Sequence, residues 1–100
     1  MNIKLFVSKE GRIILTSDTY FKDPIESVIF DYLSRRVSLK FAGDNSPYTL
    51  NCEVDDYIAH AMVEKDVCGF GFENDGKLEQ ATYLPLLVAH REQGIKEGAA

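Results

Sequence analysis

The chain of 100 residues contains no tryptophan, three prolines and two cysteines. Two cysteines are too few for the disulfide framework of a small secreted domain. The longest apolar run, residues 83–89, is interrupted by Pro85 and is too short to cross a bilayer. Residues 1–7 carry one charge and lack the length of a secretory signal. These absences predict a cytoplasmic protein with reduced thiols.

Groups suited to acid–base catalysis are scarce, because the chain has two histidines. His60 follows Asp56 by four residues, a spacing that places both on one helix face, where the carboxylate can orient the imidazole. Serine and threonine are scattered, and neither cysteine stands beside a basic residue, so no nucleophile is indicated. We predict that the protein is not an enzyme. An enzyme built around Asp56 and His60 is an alternative.

Four side chains of the kind that bind zinc occur in the chain: Cys52, His60, Cys68 and His90. They are separated by eight, eight and twenty-two residues, whereas loops that close on zinc use short paired spacings. Both cysteines stand at strand positions where a small buried hydrophobe would serve. We therefore predict neither a metal site nor a cofactor.

Acidic residues are concentrated in the middle of the chain. The net charge is −5, and residues 41–79 hold nine acidic and two basic side chains, a balance of −7. Residues 1–40 hold seven basic and five acidic side chains, a balance of +2, and residues 80–100 balance at zero. Such asymmetry creates a field that attracts a basic partner and repels nucleic acid.

Several segments alternate between apolar and polar side chains, the pattern of a strand with one buried face. Residues 37–41 and 48–54 show this pattern and are separated by a Gly-Asp-Asn-Ser-Pro turn, which predicts an antiparallel hairpin. Residues 3–7 and 13–16 form a second predicted hairpin, in which Gly11 supplies a positive φ.

Residues 23–36 admit two interpretations. Asp23 as N-cap, Pro24 at the first position and Glu26 soon after are typical of a helix start. Residues 28–32 also alternate, and their Val-Ile-Phe core favours a strand. A helix filling this segment would leave no connection to the next strand. We therefore predict a strand here.

The period changes after residue 54. Asp55 can cap a helix over residues 55–64. Residues 67–73 and 77–82 flank Asn74-Asp75-Gly76, the strongest hairpin signal in the chain. Together these patterns predict a helix followed by a further antiparallel hairpin.

The C-terminal part suggests a second, short helix. Pro85 is suited to its first turn, Arg91 to its last turn, and Gly94 to the position just past its end. Residues 95–100 are expected to be frayed.

These elements predict an α+β fold in one domain, residues 1–94. The sheet is expected to be mostly antiparallel, with about six or seven short strands, and covered on one face by the central helix. Many exposed strand edges in so short a chain also suggest edge-to-edge homodimerisation.

The segment Gly69-Phe70-Gly71-Phe72 resembles the core of the RNA-recognition-motif signature, and Leu5-Phe6-Val7 resembles that family's companion segment. The chain departs from the family at Cys68, where a basic residue is usual, and at Glu73, where an aliphatic one is expected. The resemblance implies that the aromatic side chains of Phe6, Phe70 and Phe72 stack on the bases of a single-stranded nucleic acid. A surface this acidic lacks the cations that bind a polyanion. We interpret these residues as aromatics of a sheet face, with single-stranded nucleic-acid binding as an alternative.

Size, charge and the scarcity of catalytic groups together favour a small, non-enzymatic acidic binding protein. By size and charge alone it is similar to anti-CRISPR and immunity proteins, inhibitors that occupy the basic surface of a nucleic-acid-handling protein. A protein with such a basic surface is the expected partner, and we predict no binding to a membrane. The expected contact residues are acidic: Asp44, Glu53, Asp55, Asp56, Glu73, Asp75 and Glu79. An oligomeric interaction module of other function is a further alternative.

Overall fold

A computed structural model describes residues 1–91, with the backbone alone for Glu79 and Gln80. The described residues form seven strands and one helix. In chain order they are β1 (Ile3–Val7), β2 (Ile13–Ser17), β3 (Ile25–Asp31), β4 (Arg36–Phe41), β5 (Tyr48–Thr49), α1 (Asp56–Val63), β6 (Val67–Asn74) and β7 (Lys77–Ala89). The predicted α+β character is confirmed, with a sheet-rich fold around a central helix.

The strands form one curled sheet in the order β1-β2-β6-β7-β3-β4-β5. Hairpin neighbours pair antiparallel, whereas β2 pairs with β6 and β3 pairs with β7 in parallel. The sheet is therefore mixed: four of its six pairings are antiparallel and two are parallel, so the prediction of a mostly antiparallel sheet is met only in part. Alternation and turn residues indicate local hairpins, but they carry no information on which distant strands pair in parallel.

Strand β7 is the longest element, with thirteen residues. Its first part pairs with β6 as far as Pro85, and its last part pairs with β3 from Leu86 onward. The predicted helix beginning at Pro85 is therefore wrong. Proline lacks an N–H, and it is tolerated here because it lies where β7 changes from one partner strand to the other. Gly94 and residues 95–100 lie outside the described residues.

Three other predictions about strands are confirmed. Gly11 has φ 78° in the β1–β2 turn, and Asp75 and Gly76 have φ 51° and 76° in the β6–β7 turn, as a two-residue hairpin requires. Residues 25–31 form a strand rather than a helix. By contrast, β5 ends at Thr49, so the predicted strand over residues 48–54 is mostly absent.

Helix α1 begins where the sequence predicts. The Asp55 carboxylate accepts a hydrogen bond of 2.8 Å from the Ile58 N–H, which satisfies one of the otherwise unpaired donors of the first turn. Ala59 and Met62 are fully buried against the sheet. No helix within the described residues has both the length and the apolar character that a membrane span requires.

The sheet has an inner face and an outer face, because successive side chains of a strand point to opposite sides. The inner face, curled around α1, carries the core, in which Leu15, Phe30 and Val37 are fully buried. The outer face carries the row Phe6–Ile14–Gly69–Tyr83, which the register aligns across four strands.

The N-cap predicts a measurable effect on stability. Asp55→Ala removes the acceptor for the Ile58 N–H and should lower the free energy of unfolding by about 1 kcal/mol. Asp55→Asn keeps an acceptor oxygen and should stay close to wild type. Urea denaturation followed by circular dichroism measures both. Equal losses for the two variants would contradict the capping role.

Candidate functional site

The acidic residues expected to bind a partner are divided between two ends of the sheet. We call the end that holds the β6–β7 turn the hairpin end, and the opposite end, where α1 lies, the helix end. Strands β4 and β6 run in the same direction, so their C-terminal turns lie at the same end of the sheet. The hairpin end holds Asp44, Glu73, Asp75 and the backbone of Glu79. The helix end holds Glu53, Asp55 and Asp56.

The acids of the helix end are partly occupied with structural contacts. Asp55 caps α1, and the Asp56 carboxylate forms an ion pair of 3.2 Å with Arg35, which lies in the turn after β3. The Arg35 guanidinium also lies 4.1 Å from the centroid of the Tyr32 ring. These contacts tie the first turn of α1 to the sheet and leave less acidic charge for a partner.

The pairing of Asp56 with His60 does not occur through the carboxylate. The His60 Nδ1 lies 2.6 Å from the backbone oxygen of Asp56, and its Nε2 lies 3.3 Å from the Tyr32 hydroxyl. The carboxylate turns away to Arg35 and is 85% exposed. The geometry expected for an enzyme built on these two residues, a carboxylate orienting an imidazole, is therefore not formed.

The four predicted candidates for zinc ligands lie apart in the fold. Within residues 1–91 no three histidine, cysteine or acidic side chains are grouped in a way that could hold a metal ion. Cys68 is buried, and its burial raises the pKa of the thiol to about 12. Burial also raises the pKa of Cys52. His90 instead bonds Asp31 at 2.8 Å.

The three aromatic residues of the nucleic-acid hypothesis lie on two different faces. Phe6 pairs with Ile14 on the outer face. Phe70 pairs with Leu15 and therefore lies on the inner face, and Phe72 follows it by two residues on the same side. The structure brings Phe70 and Phe72 together and leaves Phe6 on the opposite side of the sheet.

Phe70 and Phe72 instead line an aromatic cleft at the hairpin end. Two adjoining openings of about 290 Å³ and about 150 Å³ share Tyr20, Phe21, Phe70 and Thr82. The Tyr20 ring meets Phe72 edge-on at 6.0 Å, and Phe21 lies 6.1 Å from Phe70. The rings thus present both faces and edges at one opening.

The loop between β2 and β3 supplies half of this cleft. Its turn is fixed by Ser17, whose hydroxyl accepts a hydrogen bond of 3.0 Å from the Thr19 N–H. Phe21 then folds inward between Phe41 and Tyr48. Tyr20 stays 68% exposed at the rim. No role was predicted for Tyr20 and Phe21 from the sequence, although two adjacent aromatic residues in a polar loop are a signal that could have identified them.

Two charged side chains, Asp23 and Lys22, line the cleft, and further carboxylates lie in the loop and turns at the same end of the sheet. Asp18 and Asp23 lie in the same loop as Tyr20, Asp75 follows Phe72 by three residues, and Asp44 lies in the turn between two strands that both contact Phe21. Lys22 and Lys77 are the basic residues of the same loop and turn. Aromatic rings with excess negative charge around them suit a cationic side chain better than a phosphate.

The comparisons with known proteins add no relative to this geometry. Neither protein-family models, nor curated proteins, nor solved structures match the chain.

Asp31 is a titratable group held by contacts at the helix end. Its partial burial would raise its pKa, but hydrogen bonds from His90, from Ser34 and from the Leu33 N–H lower the pKa below the ordinary value of 3.8. The charged form of Asp31 is therefore favoured by folding.

The aromatic cleft predicts a contrast between two adjacent positions. Phe21→Ala removes contacts with Phe41, Tyr48 and Phe70 and should lower the free energy of unfolding by about 3 kcal/mol. Tyr20→Ala changes an exposed ring and should cost less than about 1 kcal/mol. Chemical denaturation compares them. A stability loss for Tyr20→Ala as large as that for Phe21→Ala would contradict this division between packing and rim.

The lowered pKa of Asp31 predicts a pH-dependent stability difference. The Asp31 carboxylate stabilises the fold fully at pH values above its ordinary pKa of 3.8. This contribution is lost as the pH falls through the lower pKa that Asp31 has in the folded protein. Asp31→Asn keeps an acceptor for the Leu33 N–H but removes the negative charge. It should therefore lower the melting temperature at neutral pH, and its melting temperature should converge on that of wild type in acid. Glu64→Gln, at the exposed C-cap of α1, serves as the control. A difference for Asp31→Asn that stays constant with pH would exclude the charge as its cause.

Proposed function

We propose that this protein is a non-enzymatic binding protein that docks the hairpin end of its sheet on the basic surface of a nucleic-acid-handling protein. The observation that carries the proposal is the aromatic cleft of Tyr20, Phe21, Phe70 and Phe72, which Asp23 and Lys22 also line. Asp44 and Asp75 lie in turns at the same end of the sheet. In this role the protein acts as an inhibitor or decoy, because it occupies the surface that the partner uses for nucleic acid.

The cleft suits an arginine side chain. A guanidinium stacks on aromatic faces and donates several hydrogen bonds in a plane, so the rings and the Asp23 carboxylate at one opening can contact it at the same time. Lysine offers a more strongly hydrated point charge and fits such a site less well. The exposed Tyr20 ring, at the rim, is the side chain best placed to meet an incoming cation first.

The rest of the surface supports a protein partner over a nucleic acid. The chain has a net charge of −5, and Phe6 is separated from the cleft by the sheet itself. A polyanion approaching the cleft would meet Asp23, Asp44 and Asp75, which raises its electrostatic cost. A folded basic surface meets the same carboxylates as an attraction, and its association should be faster at low salt.

A peptide titration tests the proposal without knowledge of the partner. A labelled all-arginine peptide should bind more tightly than an all-lysine peptide of the same length, as measured by fluorescence anisotropy. Binding should weaken steeply between about 0.05 M and about 0.5 M salt. Tyr20→Ala should weaken arginine binding about fivefold, since an exposed cation–π contact is worth roughly 1 kcal/mol.

Two triple variants with the same change in charge locate the binding surface. Asp23→Asn/Asp44→Asn/Asp75→Asn removes three negative charges from the hairpin end and should weaken binding about tenfold, at about 0.5 kcal/mol for each exposed charge. Asparagine is accepted at all three turns. Glu53→Gln/Asp56→Asn/Glu64→Gln neutralises the helix end and should have little effect. A larger loss from the helix-end variant would contradict the proposed surface.

The partner itself is sought by capture from native extract with wild-type protein and with the hairpin-end triple variant. A specific partner should be retained by wild type alone, elute in a salt step and be displaced by double-stranded DNA or RNA. Tight binding of the protein to a mixed single-stranded oligonucleotide would instead favour the nucleic-acid alternative.

A further inference from the structure

The outer face of the sheet carries an uncovered apolar patch. Of the ten large hydrophobic side chains that are exposed among the described residues, five lie on this face, each between 41% and 52% exposed. We define the outer-face patch by these residues: Phe6, Val67, Leu78, Tyr83 and Leu87. Contiguous apolar surface of this kind marks an interaction site more often than isolated exposed hydrophobic residues do.

The patch has low relief. Gly69 and Gly71 have no side chain in the middle of the face, and neighbouring side chains lie over them. A Cβ at Gly69 would come within 2.7 Å of Ile14 Cδ1, and one at Gly71 would overlap Leu78. Ile14, Leu78 and Tyr83 therefore fill the middle of the face, and a shallow depression of about 280 Å³, lined by Arg12, Val67 and Tyr83, lies at its helix end. A shallow, twisted apolar sheet face suits packing against another sheet.

Two ion pairs balance four of the charges on this face. Lys4 and Glu73 form an ion pair of 3.2 Å, and Lys40 pairs with Glu26. The face is thus close to neutral in a protein with a net charge of −5, because many of the remaining acids lie in turns and on α1. A nearly neutral face gives little electrostatic attraction to a strongly basic or acidic partner. It also gives little electrostatic repulsion to the same face of a second copy of the chain.

We propose that the outer face is the interface of a homodimer, with two copies packed face to face. At about 3.3 Å of length per residue and about 4.8 Å of width per strand, strands β1 to β4, β6 and β7 give a face of roughly 700 Å². Stable interfaces bury about 800 Å² on each partner, so the contact must extend beyond the five patch residues over nearly the whole face. This arrangement differs from the predicted edge-to-edge pairing, because the edge strand β1 forms no hydrogen bonds with the second copy.

The charges at the two ends of the patch indicate the orientation of the copies. Arg12 lies at the helix end of the outer face, where its guanidinium donates a hydrogen bond of 2.9 Å to the Tyr83 hydroxyl. Glu73 lies at the hairpin end of the same face. A two-fold axis that runs across the strands in the plane of the interface places Arg12 of each copy opposite Glu73 of the other. Two symmetric ion pairs would then border the apolar contact.

Sedimentation equilibrium of the full chain tests the proposal. Wild type should be dimeric at concentrations on the order of 100 µM. Val67→Glu and Leu87→Glu each place a carboxylate in the contact and should give monomers with an unchanged circular dichroism spectrum. Tyr57→Glu on α1 and Leu33→Glu after β3 alter side chains that are 72% and 62% exposed elsewhere. These two controls should remain dimeric.

A charge reversal tests the orientation separately. Arg12→Glu should weaken the dimer, and Arg12→Glu/Glu73→Arg should restore it at least in part. A wild-type monomer at all concentrations up to about 1 mM would overturn the proposal. A dimer that survives both Val67→Glu and Leu87→Glu would overturn it as well. The proposal is independent of the binding function, because the aromatic cleft opens on the inner face.

Discussion

The backbone pairing of β7 with two different strands is the constraint on which the rest of the structure depends. One strand of thirteen residues holds β6 along its first part and β3 along its last part, so it joins two groups of strands into one curled sheet. The change of partner at Pro85 lets a residue without an N–H sit inside the strand at little cost. Without this shared strand, β1-β2-β6 and β3-β4-β5 would have no common hydrogen bonding.

The curl produced by β7 gives the two faces of the sheet different surfaces. The inner face encloses α1 and the core, and at the hairpin end it remains open beside the β2–β3 loop, where the aromatic cleft lies. The outer face is left apolar and nearly neutral. The aromatic cleft and the apolar outer face are thus separated by one layer of backbone. The proposed binding end and the proposed dimer face therefore lie on opposite sides of the sheet.

Local features of the fold could be predicted from the sequence, and non-local ones could not. Alternation, Gly11 and the Asn74-Asp75-Gly76 turn identified hairpins because they set backbone dihedrals within a few residues. Asp55 identified the helix start for the same reason. The parallel pairings join residues more than fifty positions apart, for which the pattern holds no register information. Pro85 was assigned to a helix because a changeover between partner strands has no sequence signature.

The candidate site shows the same division. Phe70 and Phe72 were recognised as sheet-face aromatics, but the face of Phe6 depends on strand pairing across the sheet. The acidic residues were identified individually, yet their division between two ends follows from topology. Tyr20 and Phe21 were missed because their role appears only when the loop folds over β6.

The most direct test of the central claim is to map the binding of an arginine-rich peptide by NMR on the uniformly labelled protein. The account predicts that the largest chemical-shift changes fall on the β2–β3 loop, on the rings of Phe70 and Phe72, and on the turns of the hairpin end. Changes confined to α1 around Tyr57 and His60, or no changes at low salt, would contradict it.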